Sequence, residues 1–310
     1  MKVDTLTKSE RDLFQKLPGL PASATVRVSN VWIIEWLSSN EKPTGRLLHE
    51  WMDSLRPGWS AYSMCTTKQE VILAVERATN RAKQSAMVPV LHLEAHGNEF
   101  GLAPSNANNA EFLRWDELTE PLQALNMATR CNLIVVIAAC TGFAGILALV
   151  GGPRAPAVAL VGFDAEVMPS NLLEGTKEFY RRWMNGNTEL EEIAASASQQ
   201  AGILFEPEPF ATLAYESMVE QQIISMRPRE QRLRIERIRQ QMLAETQFSA
   251  ADIEHRLKHL PSILPAVKLQ QIWDEMFMID LYPENRERFG VDMSAIIELI
   301  VSGSNRQSKV

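Results

Sequence analysis

The chain has 310 residues, 45% of them hydrophobic and 22% charged, with a net charge of −7 at pH 7. That length buries a full core in one large domain with an appendage or in two domains, and the acidic balance excludes general nucleic-acid binding. Three cysteines, an odd number, fit thiols in a reducing compartment better than a disulfide framework.

The opening MKVDTLTKSERDLFQKL is charged and lacks the apolar core of a secretion signal, which predicts a cytoplasmic protein. Residues 25–37 (TVRVSNVWIIEWL) read as a strand, and 45–55 (GRLLHEWMDSL) as a helix closed by Arg56-Pro57-Gly58. A short extended piece at SAYSMC precedes residues 67–84, whose apolar positions recur at helical spacing. Next come a strand at 87–95 (MVPVLHLEA), a helix at 115–130 and a strand at 132–139 (NLIVVIAA). This alternation predicts a mainly parallel sheet with helices on both faces.

The run LIVVIAACTGFAGILALVGG, residues 133–152, raises a second reading, because 131–153 holds no charge and about 20 apolar residues span a bilayer. Its composition divides it. LIVVI is β-branched and suits a buried parallel strand, FAGILALV suits a helix, and AACTG carries the chemistry of the turn between them. A strand-turn-helix is therefore expected, and no membrane association.

Residues 155–163 (APAVALVGF) form another short apolar run of strand length. Helices follow at 169–186, with Ser170 as the cap and Gly186 past the end, and at 188–200, with Thr188 and Glu191 at capping-box spacing. Beyond FEPEPF (205–210) strand signals stop and the chain reads as helix, including one long helix over 211–246. The expected division is 1–208 as an α/β domain and 209–310 as an all-helical region, ending in a disordered polar tail at 303–310. The basic stretch 227–241 reads as a solvated amphipathic helix: Ile224, Ile235, Ile238 and Met242 share one face, and Glu230 and Glu236 interrupt the arginines.

Two strands end in reactive residues. VPVLHLEAHG ends at His96-Gly97, and NLIVVIAACTG at Cys140 with Gly142 beyond. In an open parallel sheet, sites form at the carboxyl ends of the strands, and neighbours about 4.8 Å apart bring an imidazole and a thiol together. A helix starting after Thr141 would favour the Cys140 thiolate. The amides of Gly97 and Cys140 are then the donors for a developing oxyanion.

These residues resemble the caspase-like cysteine peptidases, the group of caspases, separases and bacterial CHAT domains: HLEAHG is followed by AACTG 44 positions after the histidine. The likeness extends through GNEFGL and FLRWDEL and covers roughly Thr25 to Gly202. It implies a three-layer caspase-like α/β fold and a cysteine endopeptidase, with His96 as base or proton donor and Cys140 as nucleophile. It departs from animal caspases at Ala138, where those enzymes carry Gln, and at GFDAE, where they carry Arg. Aspartate specificity is therefore not implied. Asp164 is similar in placement to the acid that binds a substrate Arg or Lys in separase-like and CHAT relatives, with Glu166 a second candidate; the plain alternative is that Asp164 caps a turn.

His92, Glu94 and His96 share one strand face, and no third ligand of suitable spacing accompanies them. Support of His96 by packing or hydrogen bonding is expected, not a metal. Cys65 and Cys131 read as small buried apolar residues, and neither a metal nor a cofactor is expected. The partners implied are a protein substrate and a regulatory protein reached through the C-terminal helices. A catalytically silent, peptidase-derived binding module is the alternative.

Overall fold

The computed structural model describes residues 6–20, 28–85, 87–105, 111–140, 142, 145, 152–163, 165–186, 189–202, 204–244, 249–259, 261 and 263–307, the last four by backbone alone. After a short helix α1 (Lys8–Phe14), the elements run β1 (Asn30–Trp36), α2 (Thr44–Leu55), β2 (Ser60–Met64), α3 (Lys68–Ser85), β3 (Pro89–Asn98), β4 (Gly101–Ala103), β5 (Leu113–Arg114) and α4 (Trp115–Ala128). Then come β6 (Ile134–Ala138), β7 (Ala159–Gly162), α5 (Pro169–Met184), α6 (Leu190–Ala201) and β8 (Glu206–Pro209). The remainder is helical: α7 (Phe210–Ser225), α8 (Pro228–Ala244), α9 (Ala250–Lys258), α10 (Ala266–Met276), α11 (Arg286–Phe289) and α12 (Met293–Gln307). The protein is thus an α/β domain with a mixed, mainly parallel eight-stranded sheet, followed by a C-terminal helical region.

Two compact units form, each discontinuous in sequence. One comprises residues 21–212 with 275–289, and the other residues 1–20, 213–274 and 290–310. In the first unit the strand order is β2-β1-β3-β6-β7-β8, with β4 and β5 as an antiparallel extension of β3. β2, β1, β3, β6 and β7 are mutually parallel, and β8 runs antiparallel to β7. Register sets Glu35 opposite Glu94, and Glu94 opposite Ala138.

Both sheet faces are buried, which is why the central strands are apolar along their length instead of alternating. Val31, Ile33, Val90, Ile134, Val136 and Val161 pack with Leu48 and Met52 of α2, with Phe179 and Tyr180 of α5, and with Ile193 of α6. On the other face lie Ile34, Leu91, Leu93, Val135 and Ile137, all buried, with α3 and α4 packed together. Cys65 and Cys131 are buried, and burial pushes their thiols up to about 11 and about 12.

Several expectations need correction. FEPEPF contains a strand: β8 pairs with β7 through residues 206–209 despite Pro207 and Pro209, because an edge strand needs ladder bonds on one side only. The single helix over 211–246 is two, since Pro228 cannot continue a helix but suits the first position of a new one; Met226 and Arg227 close the break with bonds to Ile223 and Ile224. Met168, not Ser170, caps α5, because Pro169 takes the first helical position. Glu189 caps α6, so Glu191 stands too close to the cap for a capping box, and Thr188 lies outside the described residues. The tail is helical as far as Gln307, where Gly303 lets α12 approach Leu13: a Cβ there would sit 2.6 Å from that side chain. The hairpin strands β4 and β5 were not anticipated.

Candidate functional site

The site is built from two strand ends. β3 carries His92, Glu94 and His96 on one face, and β6 brings Ala138 level with Glu94, so Cys140 follows one step on as His96 does. His96, Ala139 and Cys140 line one cavity of about 230 Å³, together with Leu37, Glu41 and Lys42 from the β1–α2 loop. Gly97 makes the junction tight. A Cβ on it would lie 2.7 Å from the Cys140 carbonyl oxygen and 2.9 Å from the Ala139 Cβ, so any side chain would push the two strand ends apart. Beyond the cysteine the chain turns at once, the Gly142 amide donating to the Ala139 carbonyl at 3.1 Å.

His96 Nε2 bonds Glu41 Oε2 at 2.7 Å, with the two side chains 24% and 29% exposed. Among the described residues Nδ1 of the same ring makes no hydrogen bond, which leaves it for a group entering the cavity. A carboxylate on one ring nitrogen fixes the tautomer and ring orientation and stabilises an imidazolium that forms on the other side. The Cys140 sulfur accepts the backbone N–H of Val167 at 3.4 Å, a donor that also steadies a thiolate. The loop holding Glu41 is tied down by Ser38, whose amide and hydroxyl both donate to the Pro104 carbonyl, at 2.9 and 3.1 Å.

Beneath this rim lies a buried polar cluster. Glu35 and Glu94, each 3% exposed, face each other across β1 and β3. Glu94 accepts from the Thr44 hydroxyl and sits 3.3 Å from His92 Nε2, while His92 Nδ1 lies 3.0 Å from the Tyr180 hydroxyl. Glu35 accepts the Arg46 amide at 2.6 Å and the Tyr62 hydroxyl at 3.4 Å. The first turn of α2 thus gives one backbone N–H, that of Arg46, to Glu35 and one hydroxyl, that of Thr44, to Glu94, at the helix end whose dipole favours negative charge. Gly45 permits the approach, since a Cβ there would stand 2.8 Å from Glu35 Oε2 and 3.1 Å from Glu94 Oε2. Burial, assisted by the Glu94 charge, pushes the Glu35 carboxyl up to about 6.

The structure therefore brings His96, Gly97 and Cys140 together. His92 and Glu94 bond each other and make no hydrogen bond to His96 among the described residues, so their expected hydrogen-bonding support of His96 is replaced by that of Glu41. Glu166 is exposed and does not line the cavity. Asp164 and Thr141 lie outside the described residues, as does most of the expected helix after Thr141. Glu41 went unrecognised in the sequence, where its only signal is a carboxylate in the loop after a neighbouring strand. No group of three or more metal-ligating side chains is found among the described residues, and no helix there is long and apolar enough to cross a membrane. No protein-family model matches the chain, and no curated protein sequence matches it.

Proposed function

We propose that the protein is a cysteine endopeptidase with a three-layer caspase-like fold, working in the cytoplasm on a protein substrate and cleaving after Arg or Lys. Cys140 attacks the scissile carbonyl as its thiol proton passes to His96 Nδ1. The imidazolium, held by Glu41, then returns that proton to the leaving amine, and water hydrolyses the thioester with His96 again as base. The amides of Gly97 and Cys140 are the oxyanion donors in this scheme. The C-terminal helices are the proposed surface for a regulatory protein.

The observation that carries this reading is the shared cavity of His96 and Cys140 at one rim of the sheet, with a carboxylate on the far nitrogen of the imidazole. A thiol-reactive peptide ketone tests it. Cys140→Ala is expected to lose labelling, while Cys65→Ala and Cys131→Ala, both at buried thiols, retain it. Labelling that survives Cys140→Ala refutes the proposal, and selective labelling of no cysteine favours the silent binding module.

A further inference from the structure

The cavity that holds His96 and Cys140 does not end at their level. One residue back along each strand face it reaches Glu94 on β3 and Ala138 on β6, which are register partners. Ala138 and Ala139 leave the space that a longer side chain would fill. The walls above are apolar, formed by Leu37 from the β1–α2 loop and by Val167 and Leu172 around the start of α5. The result is a slot with greasy sides and a carboxylate at its floor.

Among the described residues the only basic group beside that carboxylate is the His92 imidazole. Among the described residues no lysine or arginine forms an ion pair with Glu94 or Glu35; the Arg46 guanidinium, whose field reaches Glu35 only from a distance, pairs with Glu50. Their hydrogen bonds come from hydroxyls, a backbone amide and His92. Two carboxylates facing each other in a buried setting repel, and each would gain from a positive charge brought between them. Lys42 also lines the cavity, but its side chain is exposed and its charge is screened by water.

We propose that this slot receives the side chain of a substrate Arg or Lys, its methylenes along Leu37, Val167 and Leu172 and its cation on Glu94, with Glu35 behind. The inference rests on the peptidase reading and deepens it, transferring the choice of a basic residue from positions 164 and 166 to Glu94 and Glu35. A guanidinium suits the site best, because its planar donors can reach more than one carboxylate oxygen at once.

Two measurements on the full-length chain test it. In the first, matched peptides carrying Arg or norleucine before the scissile bond are cleaved by the wild type and by Glu94→Gln. The preference for Arg over norleucine is expected to fall about tenfold or more in the variant, since a neutral amide cannot pair with the cation. In the second, n-butylguanidinium and its neutral isostere n-butylurea are titrated calorimetrically into Cys140→Ala, so that turnover plays no part. The guanidinium is expected to bind about tenfold or more tightly than the urea, and needs no floor variant to show it. Equal binding of the two probes, or an Arg preference untouched by Glu94→Gln, overturns the slot assignment. Discrimination between the probes without cleavage of any peptide supports the slot and refutes the peptidase instead.

Discussion

Glu35 is a buried acid whose ionisation opposes the fold. Its ordinary value of 4.5 is pushed up to about 6 by burial and the neighbouring Glu94, against the lowering effect of the Arg46 amide. A carboxyl raised in the folded state favours folding below pH 4.5, and that contribution is lost as pH rises through about 6. The penalty at neutral pH is about 2 kcal/mol. Glu35→Gln keeps an acceptor for the Arg46 amide and removes the charge, so the variant is expected to melt several degrees higher than the wild type at pH 8 and together with it near pH 4.5. Thermal unfolding across that range checks the point, and parallel curves would contradict it. Glu41 has a different role. It holds His96 from a partly exposed loop, so on the proposed peptidase reading Glu41→Gln is expected to lower kcat about 100-fold with little change in KM or melting temperature. Steady-state kinetics beside a melting curve measures both; a loss confined to KM would place Glu41 in substrate binding. The placement of His96 and Cys140 in one cavity was legible in the sequence because each stands at the end of an apolar run with a glycine close behind it. Glu41 was not, because its bond to His96 spans 55 residues and no periodicity links a loop carboxylate to a strand end.

At the scale of elements, the site depends on how closely β3 and β6 finish. Gly97 sets that approach, and a methyl group there collides with the Cys140 carbonyl and the Ala139 side chain. Gly97→Ala is expected to cost about 1–3 kcal/mol, the range for forced overpacking, and to slow alkylation of Cys140 by displacing the turn that carries it. Urea unfolding and iodoacetamide kinetics read the two effects separately; an unstrained, normally reactive variant would mean that the strand ends are not locked. Long apolar or periodic elements such as β1, α3, β3 and β6 could be read from pattern, since burial on both faces writes itself as a continuous apolar run. The short ones could not. β4 and β5 hold three and two residues, fewer than any period needs, and β8 carries two prolines that argue locally against a strand. Pairing with an existing strand overrides such local preference.

At the scale of the whole chain, the unit that contains the sheet is completed by a late segment that local pattern does not assign to it. Residues 275–289 return to the region of the sheet, where the Ala155 amide donates to the Met276 carbonyl at 2.8 Å and Arg154 grips Asp280 through a second guanidinium bond of 2.7 Å. Arg288 reaches the Cys131 carbonyl at 3.0 Å, at the start of the turn into β6. The apolar anchor is Phe277, fully buried, with its ring 4.9 Å from that of Phe289 and 6.4 Å from that of Phe210. Phe277→Ala is therefore expected to destabilise the unit by about 3–5 kcal/mol, through lost burial and the cavity left behind. Leu299→Ala, at an exposed position, is the control and should stay within about 0.5 kcal/mol of the wild type. Chemical denaturation followed by tryptophan fluorescence, with Trp273 of the other unit replaced by Phe in every variant so that the remaining six tryptophans all lie in the sheet unit, reports its unfolding. If Phe277→Ala proves no more costly than the control, the segment is an ornament on the sheet unit. A large loss, with Cys140 labelling falling as the unit unfolds, makes residues 275–289 part of what holds β6 and its cysteine in place.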